Sequence, residues 1–223
     1  MTGDGGAERF FDAIAGRYDR EYALPASVSR ERMRRILGEL PPAPAHILDL
    51  GVGPGRELPA LLDAGYEPTG VDVSPAMLQR CGRRARPIAL VQADFWGALP
   101  FAAASFDAAL ALHGTLAHPP DDGALERLGA ELSRVLGARG AMLAEVPAPA
   151  WLDHLESAQG TRGRHLRRTG PLTCVFEDRV AGATIAARVL TGDEWSRALG
   201  PGWTTRALPL GQLEWLVVAH RAR

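Results

Sequence analysis

Short apolar runs alternate with amphipathic segments through the middle of the chain, and this alternation restricts the folds that it can adopt. The segments between the runs carry apolar residues three and four positions apart, which indicates helices. Strands and helices that alternate at such short spacing predict an α/β fold with a mostly parallel sheet. In that fold, ligands bind beyond the carboxyl ends of the strands. The five predicted core strands are residues 46–51, 68–73, 87–94, 106–114 and 140–147.

Different patterns precede and follow this core. Residues 8–22 and 27–40 have helical periodicity, whereas the chain after Pro147 is polar, punctuated by glycine and rich in Arg. Beyond it we predict a hairpin from LTCVFED and ATIAARVL, and then an antiparallel strand pair from WTTRALPL and EWLVVAH. We interpret the chain as a single domain in four parts. These parts are an N-terminal helical cap at 1–42, a binding core at 43–147, a substrate-side insertion at 148–190, and a C-terminal helix with a strand pair at 191–223.

Composition excludes several classes of protein. A chain of 223 residues that is 46% hydrophobic with a net charge of −1 is neither disordered nor strongly basic, so we expect no nucleic-acid partner. No run approaches the ~18 apolar residues of a membrane span, and the first residues lack a signal-peptide pattern. With only two cysteines, a disulfide framework is not indicated, and we expect a cytoplasmic protein. All 25 basic residues are Arg, which removes lysine from any catalytic scheme.

A glycine-rich loop leaves the first predicted strand and opens a helix. It contains Gly51, Gly53 and Gly55, and glycines let a backbone pass close to a ligand. The dinucleotide-binding fingerprint G-x-G-x-x-G needs a further glycine where this chain has Arg56. Taken alone, the loop is also compatible with a tight turn that binds nothing.

Acidic residues lie at the ends of successive predicted strands. Asp49 lies in the first strand, Asp72 ends the second, and Asp94 ends the third. A carboxylate at the second position can accept hydrogen bonds from both hydroxyls of a ribose. One at the third position can reach an exocyclic amine such as that of adenine. Each acid singly is typical of a solvated loop or a helix cap, but the three together indicate a ligand site.

Four segments together resemble the class I S-adenosylmethionine-dependent methyltransferases: ILDLGVGPGRE, GVDVSPAMLQRC, VQADFWGALPFAAASFDAALALHGTLAH and LERLGAELSRVLGARGAMLAEVP. In addition, FFDAIAGRYDREY is similar to the segment that precedes the core in the small-molecule branch of that family. The resemblance covers roughly residues 8–150. It implies a Rossmann-like three-layer sandwich, whose seven-stranded and mostly parallel sheet has an antiparallel last strand. It also implies S-adenosyl-L-methionine as the cofactor, and no metal.

The resemblance also implies a role for individual residues. The three loop glycines would line the methionine and ribose part of the cofactor, and Asp49 would hold that loop or the amino group. Asp72 would bind the ribose hydroxyls, and Asp94 would contact the adenine amine. The other residues implied around the cofactor are Val73, Met77 and Phe95 near the ring, Tyr18 near the methionine end, and Leu112 and His113 facing the sulfonium.

The implied reaction is methyl transfer to O, N or C of a small molecule by in-line displacement. Because a sulfonium is already an activated donor, a base is needed only for a protonated acceptor of high pKa. His113 is the best-placed candidate base, ahead of His118 and His154, although a strand-end histidine can equally serve only to shape a pocket. The Arg162–Arg168 cluster either clamps an anionic acceptor or lies on a solvated loop.

Two other functions stay open. An NAD(P)-dependent oxidoreductase on a related fold predicts the third fingerprint glycine and a catalytic pair such as Tyr-Lys. A non-catalytic S-adenosylmethionine-binding protein would keep the loop and Asp72 without an acceptor site. For the methyltransferase we expect a small-molecule substrate, no membrane association, and a monomer or a homodimer.

Overall fold

The computed structural model describes residues 6–84, 88–157 and 164–222. Its helices are α1 (Gly6–Glu21), α2 (Ala26–Glu39), α3 (Leu58–Asp63), α4 (Pro75–Cys81), α5 (Ala124–Val135), α6 (Ala150–Ser157) and α7 (Gly192–Ala198). Its strands are β1 (His46–Leu50), β2 (Glu67–Asp72), β3 (Ala89–Gln92), β4 (Phe106–Ala111), β5 (Leu136–Pro147), β6 (Arg164–Gly170), β7 (Thr173–Asp178), β8 (Ala183–Arg188), β9 (Trp203–Pro209) and β10 (Glu214–Arg221).

Seven strands form the main sheet in the order β3-β2-β1-β4-β5-β10-β9. The pairs among β1 to β5 are parallel, and β10 is antiparallel to both of its neighbours. The predicted fold class and the antiparallel last strand are therefore confirmed. The chain order reverses between β1 and β4, and this is the position at which such sheets bind ligands.

Residues of the central strands alternate between two apolar layers. One layer contains Leu48 and Leu50 of β1 and packs beneath α5 and α7. The other contains Ile47 and packs against Ile36 of α2. Burial on both faces explains why these strands have nearly continuous apolar sequences. Helices on both faces of the sheet give the predicted three-layer sandwich.

A second sheet, of three antiparallel strands in the order β6-β7-β8, accounts for most of the insertion. The predicted hairpin is β7 and β8, whereas β6 was not predicted, because its sequence RHLRRTG is polar and rich in Arg. This second sheet packs against α1, where Arg17 pairs with the buried Asp178 at 2.9 Å and Phe10 meets Phe176 edge to face. Among the described residues, no helix has the length and apolar character that a bilayer crossing requires.

Several predicted elements have different bounds in the structure, and some of the differences affect the binding edge. The strand predicted at 87–94 ends at Gln92, so Asp94 does not end it but follows it. The strand predicted at 106–114 ends at Ala111, so Leu112 and His113 lie in the turn that follows it. The helix that the glycine loop opens begins only at Leu58, which leaves Arg56 and Glu57 between the loop and the helix.

Replacing Gly129 by Ala tests the packing of α5 against the end of α7. A Cβ atom at Gly129 would lie 2.1 Å from the carbonyl oxygen of Leu199, which is a backbone atom that cannot rotate away. We expect Gly129→Ala to lower the free energy of unfolding by about 1–3 kcal/mol, as overpacking does. Gly16→Ala is the control, because Gly16 lies in α1 with open space around it. It should raise stability by roughly 0.5–1 kcal/mol. Urea unfolding of both variants measures the difference, and equal stabilities would contradict this packing.

Candidate cofactor and acceptor site

The glycine loop lies at the reversal point of the sheet and is held against β2. Gly51, Gly53 and Gly55 have φ values of 64°, 52° and 73°, in the left-handed region that side chains disfavour. At Gly51 a Cβ atom would also lie 2.6 Å from Cγ2 of Thr115. The loop therefore requires glycine for its backbone conformation and, at Gly51, for space.

Asp72 ends β2 and joins the loop to the start of α4. Its carboxylate is 6% exposed and accepts hydrogen bonds from the N–H of Gly53 at 2.8 Å and of Ser74 at 2.9 Å. Burial raises the pKa of Asp72, and these N–H donors partly oppose the rise. A backbone hydrogen bond from Val73 also opposes the rise, so three N–H groups contact a carboxylate that has about four acceptor positions, which leaves about one for another donor.

Asp49 lies beside the loop and is 3% exposed. None of the described residues donates a hydrogen bond to its carboxylate. Burial, followed by the negative charges of Glu57 and Asp72, raises its pKa well above the ordinary value for an aspartate. A buried carboxylate of this kind is complementary to a cation, because a neighbouring positive charge would favour its ionised form.

The N-terminal helix α1 covers the loop and is fixed there by Arg56. The Arg56 guanidinium donates to the carbonyl oxygens of Tyr22 at 2.8 Å and Tyr18 at 3.0 Å, and it pairs with Asp19 at 3.2 Å. It also stacks on the Tyr18 ring, 4.7 Å from the centroid. Burial raises the pKa of Tyr18 to about 12, so its hydroxyl is protonated at neutral pH. Our sequence analysis considered Arg56 only as a missing glycine and did not identify this anchoring role.

The amino-terminal half of α1 is attached to α4. Asp12 accepts a hydrogen bond from the Ser74 hydroxyl at 2.5 Å and another from the Ala76 N–H at 3.2 Å. Ser74 in turn caps α4 through the Met77 N–H, as the Ser-Pro sequence predicts. Both halves of α1 therefore contact the elements that surround the glycine loop.

Beside the loop lies a cavity of about 340 Å³. Its charged lining is balanced, because three Arg side chains face three carboxylates. Apolar side chains from α2 and from the turn after β4 line the remainder. The charged residues are Arg32, Arg56 and Arg84 with Asp19, Glu57 and Glu145, and His113 lies among them.

His113 contacts two of these carboxylates. Its Nε2 lies 2.5 Å from Oε1 of Glu57, and its Nδ1 lies 4.0 Å from Oε2 of Glu145. Burial of the Glu57 carboxyl opposes ionisation, but the hydrogen bond and charge of His113 outweigh it and lower the pKa of Glu57. Neither carboxylate was identified from the sequence, because Glu57 and His113 lie 56 residues apart and nothing in the local pattern links them.

The structure places the other predicted residues at three positions. Leu112 is buried and lines the cavity with His113. Asp94 and Phe95 follow the edge strand β3, away from the cavity. Asp94 is exposed and accepts from the Trp96 N–H at 3.0 Å, whereas Phe95 is buried. The remaining two follow β2: Val73 is half-buried, and Met77 packs with Phe10 and Ile14 of α1.

Among the residues that the structure describes, the alternative bases and the members of the Arg cluster are not part of the cavity lining. His118 donates from Nδ1 to the carbonyl oxygen of Ala186 at 2.7 Å, and burial lowers its pKa, which is consistent with a role in joining the two sheets. In the Arg cluster, Arg168 pairs with Asp153 and Arg167 is exposed, while Arg162 lies outside the described residues. His154 lies on α6.

Comparison with known proteins identifies the family. Residues 47–140, which include the loop, Asp49, Asp72 and His113, match a family model described as a methyltransferase domain. Over these residues the chain therefore carries a methyltransferase domain, and it resembles the S-adenosylmethionine-dependent methyltransferases. This agrees with the resemblance that its four sequence segments show.

The relatives differ in what they methylate. A malonyl-[acyl-carrier protein] O-methyltransferase of Halorhodospira halophila is 36% identical over 167 residues, which are 71% of this chain and 54% of that protein. A protein of Micromonospora griseorubida whose provisional name is 23S rRNA (guanine-N(1)-)-methyltransferase is 34% identical over 154 residues, 66% of this chain and 48% of that protein. The chain thus spans about half the length of these curated relatives.

A solved structure has the same fold over nearly the whole chain. It is a complex of S-adenosylmethionine with an amino pentose methyltransferase from Micromonospora echinaspora that is involved in calicheamicin biosynthesis. The TM-score is 0.71 at 18% identity, with 94% of this chain and 97% of that chain covered. At this identity the likeness concerns the fold.

The raised pKa of Asp49 predicts a pH-dependent effect of Asp49→Asn on stability. In the folded state the carboxyl retains its proton to higher pH than in the unfolded chain, so ionising it costs stability as the pH rises above about 4. Asn removes this cost. We therefore expect the melting temperature of Asp49→Asn, relative to the wild type, to rise by several degrees from about pH 4 to pH 8, since 1 kcal/mol corresponds to about 2–4 °C.

The prediction is tested by thermal unfolding of Asp49→Asn and the wild type across this pH range, without ligand. Asp63→Asn serves as the control, because Asp63 is exposed on α3 and its replacement should shift the melting temperature equally little at every pH. A difference between Asp49→Asn and the wild type that does not change with pH would contradict the buried, unpartnered carboxylate.

Proposed function

We propose that the protein transfers a methyl group from S-adenosylmethionine to a small-molecule acceptor by in-line displacement. The observation that carries the proposal is the glycine loop with Asp49 and Asp72 at the carboxyl ends of adjacent parallel strands, within the matched methyltransferase domain. When bound, the cofactor supplies an activated methyl group on a sulfonium. The protein has only to place the acceptor in line and to exclude competing water.

The residues present fit such a cofactor. S-adenosylmethionine carries positive charge on its sulfonium and its ammonium, and Asp49 is a buried carboxylate with no hydrogen-bond donor among the described residues. The loop has open space at Gly53, where a Cβ atom would come within 4 Å only of the Gly51 carbonyl oxygen, at 3.9 Å. Asp72 keeps an acceptor position for a ribose hydroxyl beyond those that the N–H groups of Gly53, Ser74 and Val73 use.

We assign the cofactor contacts accordingly. Gly51, Gly53 and Gly55 line the methionine and ribose part, with Asp49 at the amino group or the loop and Asp72 at the ribose. The adenine lies toward β3, near Asp94. The remaining assignments are Val73, Met77 and Phe95 around the ring, Tyr18 at the methionine end, and Leu112 and His113 beside the sulfonium.

The size and charge of the cavity favour a small acceptor. About 340 Å³ lies within the range of small-ligand pockets, and its charged lining pairs Arg with carboxylates rather than presenting a basic surface. Binding of a polyanion such as RNA is favoured by a surface of clustered basic charge. This chain has a net charge of −1, which does not favour such binding. We therefore favour a small acceptor of the kind that the malonyl-[acyl-carrier protein] and amino pentose enzymes are named for.

An oxidoreductase function is less well supported by the loop. The position of the third fingerprint glycine is occupied by Arg56, whose side chain anchors α1 instead of leaving room for a pyrophosphate. We further propose a cytoplasmic protein, on the ground that Cys81 and Cys174 form no disulfide. We also propose a monomer or a homodimer.

Cofactor binding is tested by calorimetry with S-adenosylhomocysteine. The wild type should bind it, and Asp72→Ala should weaken binding by ~10²-fold or more, because hydrogen bonds to a charged group are each worth about 1.5–3 kcal/mol. Glu67→Gln is the control, since Glu67 is an exposed acid at the other end of β2 and should leave affinity unchanged. Binding of NADH without binding of S-adenosylhomocysteine would refute the proposal.

The acceptor class is tested with methyl-labelled S-adenosylmethionine. We expect label to enter one of two small-molecule sets, namely malonyl thioesters with related small carboxylic acids, or amino sugars. Total RNA is tested in parallel. Label in RNA alone would contradict the small-molecule proposal. Cofactor binding without transfer to any acceptor would support the non-catalytic alternative.

A further inference from the structure

A row of buried and half-buried polar side chains runs from the glycine loop to α2 through His113. Glu57 contacts the His113 ring on one side, and Glu145 lies on the other side. Glu145 is 2% exposed and forms an ion pair with Arg32, which also donates to Glu214 at 2.8 Å. Burial lowers the pKa of Arg32. These five residues come from five segments that are distant in sequence.

The backbone at His113 is held in an unusual conformation. His113 has a φ of 54°, and a residue other than glycine adopts this region at an energetic cost of order 1–3 kcal/mol. Its N–H donates to Oε2 of Glu145 at 3.2 Å. This hydrogen bond and the Glu57 contact hold the main chain and the imidazole together in one position at the cavity.

The two ring nitrogens of His113 have different surroundings. Nε2 lies 2.5 Å from a carboxylate oxygen that can only accept, so Nε2 carries a proton. In the neutral imidazole Nδ1 is then the unprotonated nitrogen. Nδ1 lies 4.0 Å from Glu145, which is too far for a hydrogen bond between them. A hydroxyl or amine group placed between Nδ1 of His113 and Oε2 of Glu145 can contact both atoms.

We propose that Glu57 is a positioning residue that fixes the Nε2–H tautomer of His113, so that Nδ1 is the atom that takes the proton of the methyl acceptor. This inference rests on the proposed function for the identity of the reaction. It adds a residue and an atom that neither the sequence nor the family match assigns.

In the proposed step, each bond that forms is matched by a bond that breaks. The acceptor O–H or N–H bond breaks, and its proton passes to Nδ1 while the electron pair of the acceptor atom forms a bond to the methyl carbon. The carbon–sulfur bond breaks, and its electron pair remains on sulfur as S-adenosylhomocysteine. The imidazolium that forms is stabilised by the Glu57 carboxylate, whose lowered pKa keeps it ionised.

Nitrogen-15 NMR of the histidine rings tests the tautomer without any acceptor. Protonated and unprotonated ring nitrogens have distinct chemical shifts, and His113→Asn identifies the His113 signals by their loss. At a pH high enough for the imidazole to be neutral, the wild type bound to S-adenosylhomocysteine should show protonated Nε2 and unprotonated Nδ1. In Glu57→Gln this preference should be lost, because an amide can donate to Nε2 as readily as it accepts.

Glu67→Gln provides a matched control. Glu67 contacts Nε2 of His46 at 2.9 Å in an exposed pair, so its replacement should alter the His46 signals and leave those of His113 unchanged. Two results for the wild type would overturn the proposal. In one, neutral His113 carries its proton on Nδ1. In the other, His113 stays doubly protonated at every pH at which the protein is folded. An unchanged tautomer in Glu57→Gln would overturn it as well.

The measurement separates this inference from the proposed function. Calorimetry on the same samples reports cofactor binding independently of the ring signals. If S-adenosylhomocysteine fails to bind, the proposed function fails, while the tautomer of the free protein still decides whether Glu57 positions His113. If Glu57→Gln does not fold, the wild-type spectrum alone decides the question, because the opposite tautomer is sufficient to refute it.

Discussion

The contact of Arg56 with α1 is the interaction on which the arrangement of the site depends. One guanidinium satisfies two carbonyl groups near the carboxyl end of the helix and pairs with Asp19. Because the side chain is largely buried, these contacts replace water that the charge would otherwise require. They place the Tyr18 ring against the Arg56 side chain, directly after the glycine loop. The cap and the loop are thus joined through one residue.

The sequence was sufficient to predict the elements whose pattern is local. The buried strand β1 is apolar apart from His46 and Asp49, and the start of α4 is read from the adjacent residues Ser74 and Pro75. The polar strand β6 was missed, because its backbone is ordered by pairing with β7 rather than by its own periodicity. The carboxylates around His113 were missed for a related reason. Their proximity arises from strands and loops that only the folded sheet brings together.

Arginine has a structural role throughout this site. The sequence is compatible with an Arg162–Arg168 cluster that either clamps an anion or lies on a solvated loop, and the Arg residues that line the cavity lie elsewhere and face acids of the chain itself. Arg32 neutralises Glu145 and bonds Glu214, while Arg56 and Arg84 both contact Asp19. Pairing of this kind permits burial of charge at a tolerable desolvation cost. It also leaves the cavity polar without a strong net charge.

The position of α1 has a thermodynamic consequence. This helix contacts α4 beside the glycine loop through Asp12, and it contacts the second sheet through Arg17 and Phe10. A ligand that stabilises α1 against the loop must therefore also stabilise the β6–β8 sheet. Because such coupling is reciprocal, ligand binding at the loop and packing of the second sheet on α1 stabilise each other by the same coupling free energy.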